Sequence, residues 1–257
     1  ALLAAGHRLR AQDLGGLTAV GITAVRLRRR PRVTIVSSGD EVVPPDREPG
    51  PGQIRDINTY TIGALVREAG GIPIPLGIAP DREEPLRALA ARAVSEGDLA
   101  VFSAGSSVSV RDITATVING LGRPGVLVHG LSIKPGKPTI LALVGNKPVV
   151  GLPGNPVSAI VIAGLFVVPA IAALLGLREP PRRTEVTAVL AKNVNSVPGR
   201  EDYVPVRLLW QDGILRAEPV FGKSNLISTL VRADGLIRVP PDANGIPAGE
   251  QVTVRLF

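Results

Sequence analysis

Residues Ser158 to Leu177 read SAIVIAGLFVVPAIAALLGL, twenty positions without a charge. A segment of that length and polarity either crosses a membrane or forms a helix that protein covers on every side. Pro169 interrupts it, no cationic cluster flanks its start, and its surroundings have the texture of a soluble fold. A helix buried in a core or at a subunit interface is therefore expected, with no membrane partner. Such a helix needs other layers of structure packed around it.

The preceding residues supply those layers. Arg32–Ser38, Ile72–Ile78, Leu99–Ser103, Val126–His129, Thr139–Val144 and Val149–Leu152 are short runs rich in β-branched residues. Between them, Asn58–Ala69 carries apolar residues at Ile62, Leu65, Val66 and Ala69, the helical spacing, and Arg82–Ser95 is amphipathic. A further helix is expected from about Ile113 to Asn119. Alternation of this kind predicts the α/β class, an open and mostly parallel sheet with helices on both faces, over residues 32–177. After Pro180-Pro181 the texture changes to five short strand-like runs separated by Gly, Asn, Asp and Pro turns. Residues 178–257 therefore read as a small all-β, barrel-like domain, partly closed. Residues 1–31 read as the remnant of an N-terminal domain and its linker.

Composition narrows the chemistry. The 257-residue chain has no cysteine, which excludes disulfides, thiolate catalysis and cysteine-ligated metals. It also has no methionine, so it is expected to be part of something longer, and no secretory leader opens it. The net charge of +7 is carried by arginine and raises the question of nucleic acid, but aromatics are only 3% of residues, too few for base-stacking platforms. The run from Arg26 to Arg32 is expected to be a solvated linker, and no nucleic-acid partner is expected.

Lysine is the rarer cation, five residues against twenty-four arginines, yet two of the five lie in Lys134-Pro135-Gly136-Lys137-Pro138. An ammonium is a compact point charge suited to single oxyanion contacts. Soon after comes Gly151-Leu152-Pro153-Gly154-Asn155-Pro156-Val157-Ser158. Asn155 suits a helix N-cap, Pro156 the first helical position and Ser158 the first turn, where free N–H groups attract anions. Asp40, Glu41, Asp81 and Asp112 follow strands and, with phosphate oxygens, are the usual means of holding Mg²⁺. Each also has a structural alternative: Asp81 with Glu84 makes a capping box, and Asp112 caps the next helix. Gly105, Ser106 and Ser107 lie in a small-residue loop whose N–H groups suit an anion nest. Because these clusters all follow strands, they should meet at one sheet edge. His7 and His129 lack metal-ligand spacing and are expected to be structural.

Taken in order, these motifs resemble the molybdopterin molybdenumtransferase family (MoeA, including gephyrin E domains). The resemblance runs from Ser37-Ser38-Gly39-Asp40-Glu41 through Gly52–Asn58, Gly77–Asp81 and Ser103–Asp112. It continues through Lys134–Pro138, Gly151–Ser158, Pro198-Gly199-Arg200 and Lys223–Leu230. It implies a Mog-like α/β domain followed by a β-barrel, in a cytoplasmic homodimer. The activity implied is Mg²⁺-dependent insertion of molybdate into adenylylated molybdopterin with release of AMP, with a Mog-type adenylyltransferase as a possible partner. By motif match, Asp81, Ser107 and Asp112 would hold magnesium or the nucleotide phosphates. Lys134, Lys137, Ser158, Arg200 and Ser224 would hold molybdate or substrate phosphates. Lys134, Lys137, Asp81 and Asp112 would then act on the reacting groups electrostatically. Molybdate is a dianion, so its donors are expected to be free of a competing carboxylate. Ala104-Gly105 replaces the family's Gly-Gly, and Ser109 a usual glycine. Two other readings stand beside this one: a Mog-type molybdopterin adenylyltransferase, against which the β domain weighs, and a non-catalytic scaffold or anion-binding paralogue.

Overall fold

The computed structural model describes residues 3–104, 108–179 and 183–257, with the backbone alone for 108–112. Helix α1 (Ala11–Ala19) precedes strand β1 (Arg32–Ser38) and a small parallel pair, β2 (Val42–Val43) with β3 (Ile54–Arg55). Then follow α2 (Asn58–Glu68), β4 (Ile72–Ala79), α3 (Glu83–Glu96), β5 (Leu99–Ala104) and α4 (Val108–Leu121). Strands β6 (Pro124–His129), β7 (Ile133–Lys134), β8 (Ile140–Val144) and β9 (Lys147–Pro153) come next. They lead into α5 (Pro156–Ile162), a π-helical turn (Ala163–Val167) and α6 (Val168–Leu174).

The first sheet has the order β4-β1-β5-β9-β8-β6, parallel except where β8 runs against both its neighbours. Its strands are apolar on both faces because helices cover both. On one face Ile62 and Val66 of α2 and Ile162, Ala163, Val167 and Ile171 of the long helix pack on Val33, Ile35, Leu99, Val101 and Leu152. On the other, Leu86, Ala90 and Ala93 of α3 and Val117 and Ile118 of α4 pack on Val36, Ala100 and Phe102. The stretch from Pro156 to Leu174 is long and apolar enough to cross a membrane, and half of it is buried within the protein. The π turn sits just ahead of Pro169, which has no N–H to give and whose ring crowds the preceding turn, so the widened turn carries the helix past it.

The second half contains β10 (Glu185–Leu190), β11 (Val194–Asn195), β12 (Glu201–Gln211) and β13 (Ile214–Pro219). The one-turn helix α7 (Ser228–Val231), β14 (Gly235–Val239), β15 (Gly245–Ile246) and β16 (Gln251–Leu256) complete it. The ring β13-β10-β16-β14-β12 is closed by β12 pairing with β13, so the barrel is fully rather than partly closed. Its core holds Leu190, Val206, Ala217, Ile237, Val239 and Val254. Apolar packing and strand pairing both join the two halves. Val157 and Val161 of α5 pack with Leu230 and Leu236, and β7 adds to β12 in parallel, Lys134 opposite Asp202.

The arginine run is only partly the solvated linker expected. Arg29 makes two 2.6 Å bonds to Asp98, and Arg30 donates to the Gly70 and Gly71 carbonyls, stapling the segment to the sheet's far edge. The Arg29 guanidinium holds the Asp98 carboxyl below the usual range. His7 is structural: it bonds Asp13, which Arg10 and His7 together hold far below the ordinary aspartate range.

Candidate active site

Strands β1, β4, β5 and β9 end at one edge of the first sheet, where antiparallel β8 begins. The chain leaves β1 and β5 in opposite directions, through α2 to β4 and through α4 to β6, so a crevice opens between them. The residues at the ends of these strands therefore meet at one edge, in the order Asp81, Asp40, Ala104, Asn155 and Lys137. Neighbouring strands are about 4.8 Å apart, which puts the two ends of that row about 19 Å from each other.

At the acidic end the Asp81 N–H donates to Asp40 Oδ1 at 3.1 Å, and the Asp40 N–H to Asp81 Oδ2 at 3.4 Å. Asp81 Oδ1 is buried without a partner. Burial pushes the Asp81 carboxyl above the ordinary aspartate range, Glu41 and Asp40 adding to the push and the Asp40 N–H opposing it. A buried, unpartnered carboxylate oxygen beside a second carboxylate fits a hard cation. No group of three acidic or histidine side chains suited to a metal occurs among the described residues. Glu41 folds back against Gly39. The Asp81–Glu84 capping box does not form, because the N-cap of α3 is Arg82 and makes no side-chain cap. Beside this end is a cavity of about 590 Å³ lined by Asp40, Gln53, Asp56, Thr59 and Tyr60. A larger cavity, about 1190 Å³, lies away from this edge, between α2, the long helix and the barrel.

At the basic end, loop 134–138 is held tightly against α5. The site of a Gly136 Cβ would lie 2.3 Å from Ile162 Cδ1, and φ there is +129°, so both close approach and backbone conformation require glycine. Thr139 Oγ1 closes the loop on the Gly136 carbonyl at 2.6 Å. Lys137 is exposed and unpaired among the described residues. Lys134 Nζ lies 3.9 Å from Asp202 Oδ2, and Arg200 binds the same carboxylate through Nε at 2.8 Å and Nη2 at 3.3 Å. The expectation of donors free of a competing carboxylate is thus overturned. Alternation at the start of β12 aims Asp202 to the side of Arg200, just ahead of the strand, and Glu201 and Tyr203 to the other, where Glu201 accepts from the Tyr203 hydroxyl and pairs with Arg238.

Asn155 is the N-cap of α5, and Pro156 starts the helix, but the Asn155 side chain does not cap it. Its amide donates instead to Ser224 Oγ at 2.9 Å, while the Val157 N–H is taken by the Ser224 carbonyl at 3.1 Å. The helix start is therefore less open than the sequence suggests. Among the described residues, Ser158 alone in the first turn keeps an N–H without an acceptor. Gly105, Ser106 and Ser107 lie outside the described residues, as does the Asp112 side chain. The Asp112 backbone is inside α4, which begins at Val108, so it is not that helix's cap.

Two comparisons of sequence bear on this arrangement. Residues 34–173, over half the chain, match the family model "Probable molybdopterin binding domain", and residues 187–257 match "MoeA C-terminal region (domain IV)". The chain belongs to the MoeA family. The molybdopterin molybdenumtransferase of Haemophilus influenzae is 32% identical over 100% of this chain and 63% of its own length. That of Nostoc sp. is 33% identical over 98% of this chain and 59% of its own. A solved molybdopterin biosynthesis MoeA protein from Pyrococcus horikoshii is 39% identical with TM-score 0.85, over 100% of this chain and 62% of that one. The chain thus spans about three fifths of the length of the relatives it matches.

In this MoeA-family chain, two polar residues at the site were not singled out from sequence. Asn58 donates from Nδ2 to Ser103 Oγ and to the Gly154 carbonyl, both at 2.8 Å, tying α2 to the ends of β5 and β9. Its Oδ1 is buried and unpartnered. A polar residue opening an otherwise periodic helix was the available signal. Asp202, only 2% exposed, could have been found from the strand period that sets it on the side of Arg200.

Proposed function

We propose that this chain performs the MoeA-type step of molybdenum cofactor biosynthesis: insertion of molybdate into adenylylated molybdopterin with release of AMP. The observation that carries this reading is the meeting, at one sheet edge of a MoeA-family fold, of cations and a helix start with an acidic pair, Asp81 lying four strand spacings, about 19 Å, from Lys137. A ligand with an oxyanion at one end and a metal-bridged phosphate at the other suits that span. Lys134, Lys137, Arg200 and Ser158 would receive the oxyanion, and Ser224 and Asn155 would hold the helix start in place. Asp81 and Asp40 would hold Mg²⁺ together with substrate phosphate oxygens, and the ion would neutralise charge on the phosphoanhydride as AMP leaves. The orphaned Asp81 oxygen supports this assignment. Asp112, Gly105, Ser106 and Ser107 belong to the same reading through the family motif.

Residues 32–177 and 178–257 are taken as its two domains, and residues 1–31 as a remnant. The homodimer, the adenylyltransferase partner and the cytoplasmic location rest on the family resemblance alone. The barrel's match to the MoeA C-terminal region favours this reading over a Mog-type adenylyltransferase. The test is molybdate- and Mg²⁺-dependent release of AMP from adenylylated molybdopterin, run beside Lys134→Ala. Wild-type turnover lost in the variant with the fold intact supports the transferase. No AMP release and no pterin binding by the wild type would sink it.

A further inference from the structure

We propose that Asp202 is a positioning residue that aims Arg200 and Lys134 at the oxyanion and moderates their charge; this rests on the functional reading above. A carboxylate so deeply buried is costly unless paired, and the two groups facing it are Arg200 and Lys134. It takes Arg200 along the Nε–Nη2 side. The guanidinium is a rigid fork with five N–H donors, so the Nη1 side, which has no partner among the described residues, can meet a second, tetrahedral anion. Lys134 is held at the same carboxylate by backbone pairing, since β7 lies in register with β12 at this point. One buried residue therefore fixes the posture of Arg200 from the barrel and faces Lys134, which the β7–β12 pairing brings to it from the loop before β8. It also leaves the pair with a net charge of one rather than two. A bare pair would hold a dianion more firmly than a transfer reaction needs, because ground-state binding does not accelerate the chemical step.

The discriminating variant is Asp202→Asn in the 257-residue chain, with molybdate binding followed by calorimetry and turnover by AMP release. Loss of the charge should tighten molybdate binding several-fold, while loss of the paired fork should lower kcat about tenfold, with the KM for the pterin unchanged. A purely structural residue would lower thermal stability and leave molybdate affinity and kcat per folded molecule alone. Arg200→Lys covers the case in which Asp202→Asn does not fold. It keeps the charge but cannot hold the carboxylate along one edge and an anion along the other, so molybdate binding should weaken at least tenfold. Wild-type protein that binds molybdate, with Asp202→Asn or Arg200→Lys binding equally, overturns this inference alone. Wild-type protein that neither binds molybdate nor releases AMP overturns the functional reading and this inference with it.

Discussion

Asn58 shows how a single side chain can organise an edge built from separate strands. Its Nδ2 group is shared by the ends of β5 and β9, and its Oδ1 has no partner. Asn58→Ala should cost about 2 kcal/mol, a buried and a half-buried acceptor losing a shared donor and the orphaned oxygen going with them. Asn58→Asp should cost more, because a carboxylate would face the Gly154 carbonyl with nothing to donate. Urea unfolding of both variants decides the matter, and an aspartate variant as stable as the alanine one would refute the account. Tyr203 gives a second test. Burial, with the hydrogen bond it donates to Glu201, pushes its phenol up to about 12. Because the folded value lies above the ordinary one, this stabilisation is complete below about pH 10 and fades as pH rises through about 12. The stability advantage of wild type over Tyr203→Phe should therefore shrink between about pH 9 and about pH 12. A constant difference over that range would contradict it.

At the scale of elements, the decisive feature is the contact between loop 134–138 and α5. Gly136→Ala places a methyl group into Ile162 at a backbone angle that L-residues rarely adopt. It should destabilise by about 2–4 kcal/mol and weaken molybdate binding by displacing Lys134 and Lys137. Adding Ile162→Ala should restore part of the loss and not all, since the strain in φ remains; full restoration would show that crowding alone had been at work. The long elements were legible because each obeys its own period. The doubly covered β1 and β5 are buried almost throughout around Val33, Ile35 and Val36 in one and Leu99–Phe102 in the other, and α2 repeats Ile62, Leu65, Val66 and Ala69. The start of α4 was not, because Val108, Ser109 and Val110 are poor helix formers and suggested a beginning at Ile113. The pairing of β7 with β12 was equally hidden, two residues being too short for any period to register. The β12–β13 hairpin itself is marked by Asp212-Gly213, both at positive φ, but its closure into a barrel depends on the parallel pairing of β10 with β13, which no local pattern specifies.

For the whole molecule, the strand order spreads the charged motifs along one edge. The motifs suggested cations beside acidic loops around a shared ligand group, and the topology does bring all of them to one edge. It also puts Asp81 after the outermost parallel strand and Lys137 before the antiparallel one, four strand spacings or about 19 Å away. Ions that far apart do not share one phosphate, and salt screens much of their direct interaction. Their contributions should therefore be separable. Lys137→Gln should raise the KM for molybdate several-fold and leave the Mg²⁺ requirement where it is. Asp81→Asn should raise the Mg²⁺ concentration needed for half-maximal AMP release and leave molybdate affinity unchanged. In the double variant the two effects on kcat/KM should combine to within about 0.5 kcal/mol of additivity. A strong coupling energy, or a loss of molybdate affinity in Asp81→Asn as large as in Lys137→Gln, would mean that both ends hold the same group. The ligand would then lie across the edge near the loop after β5, and the extended placement would be wrong.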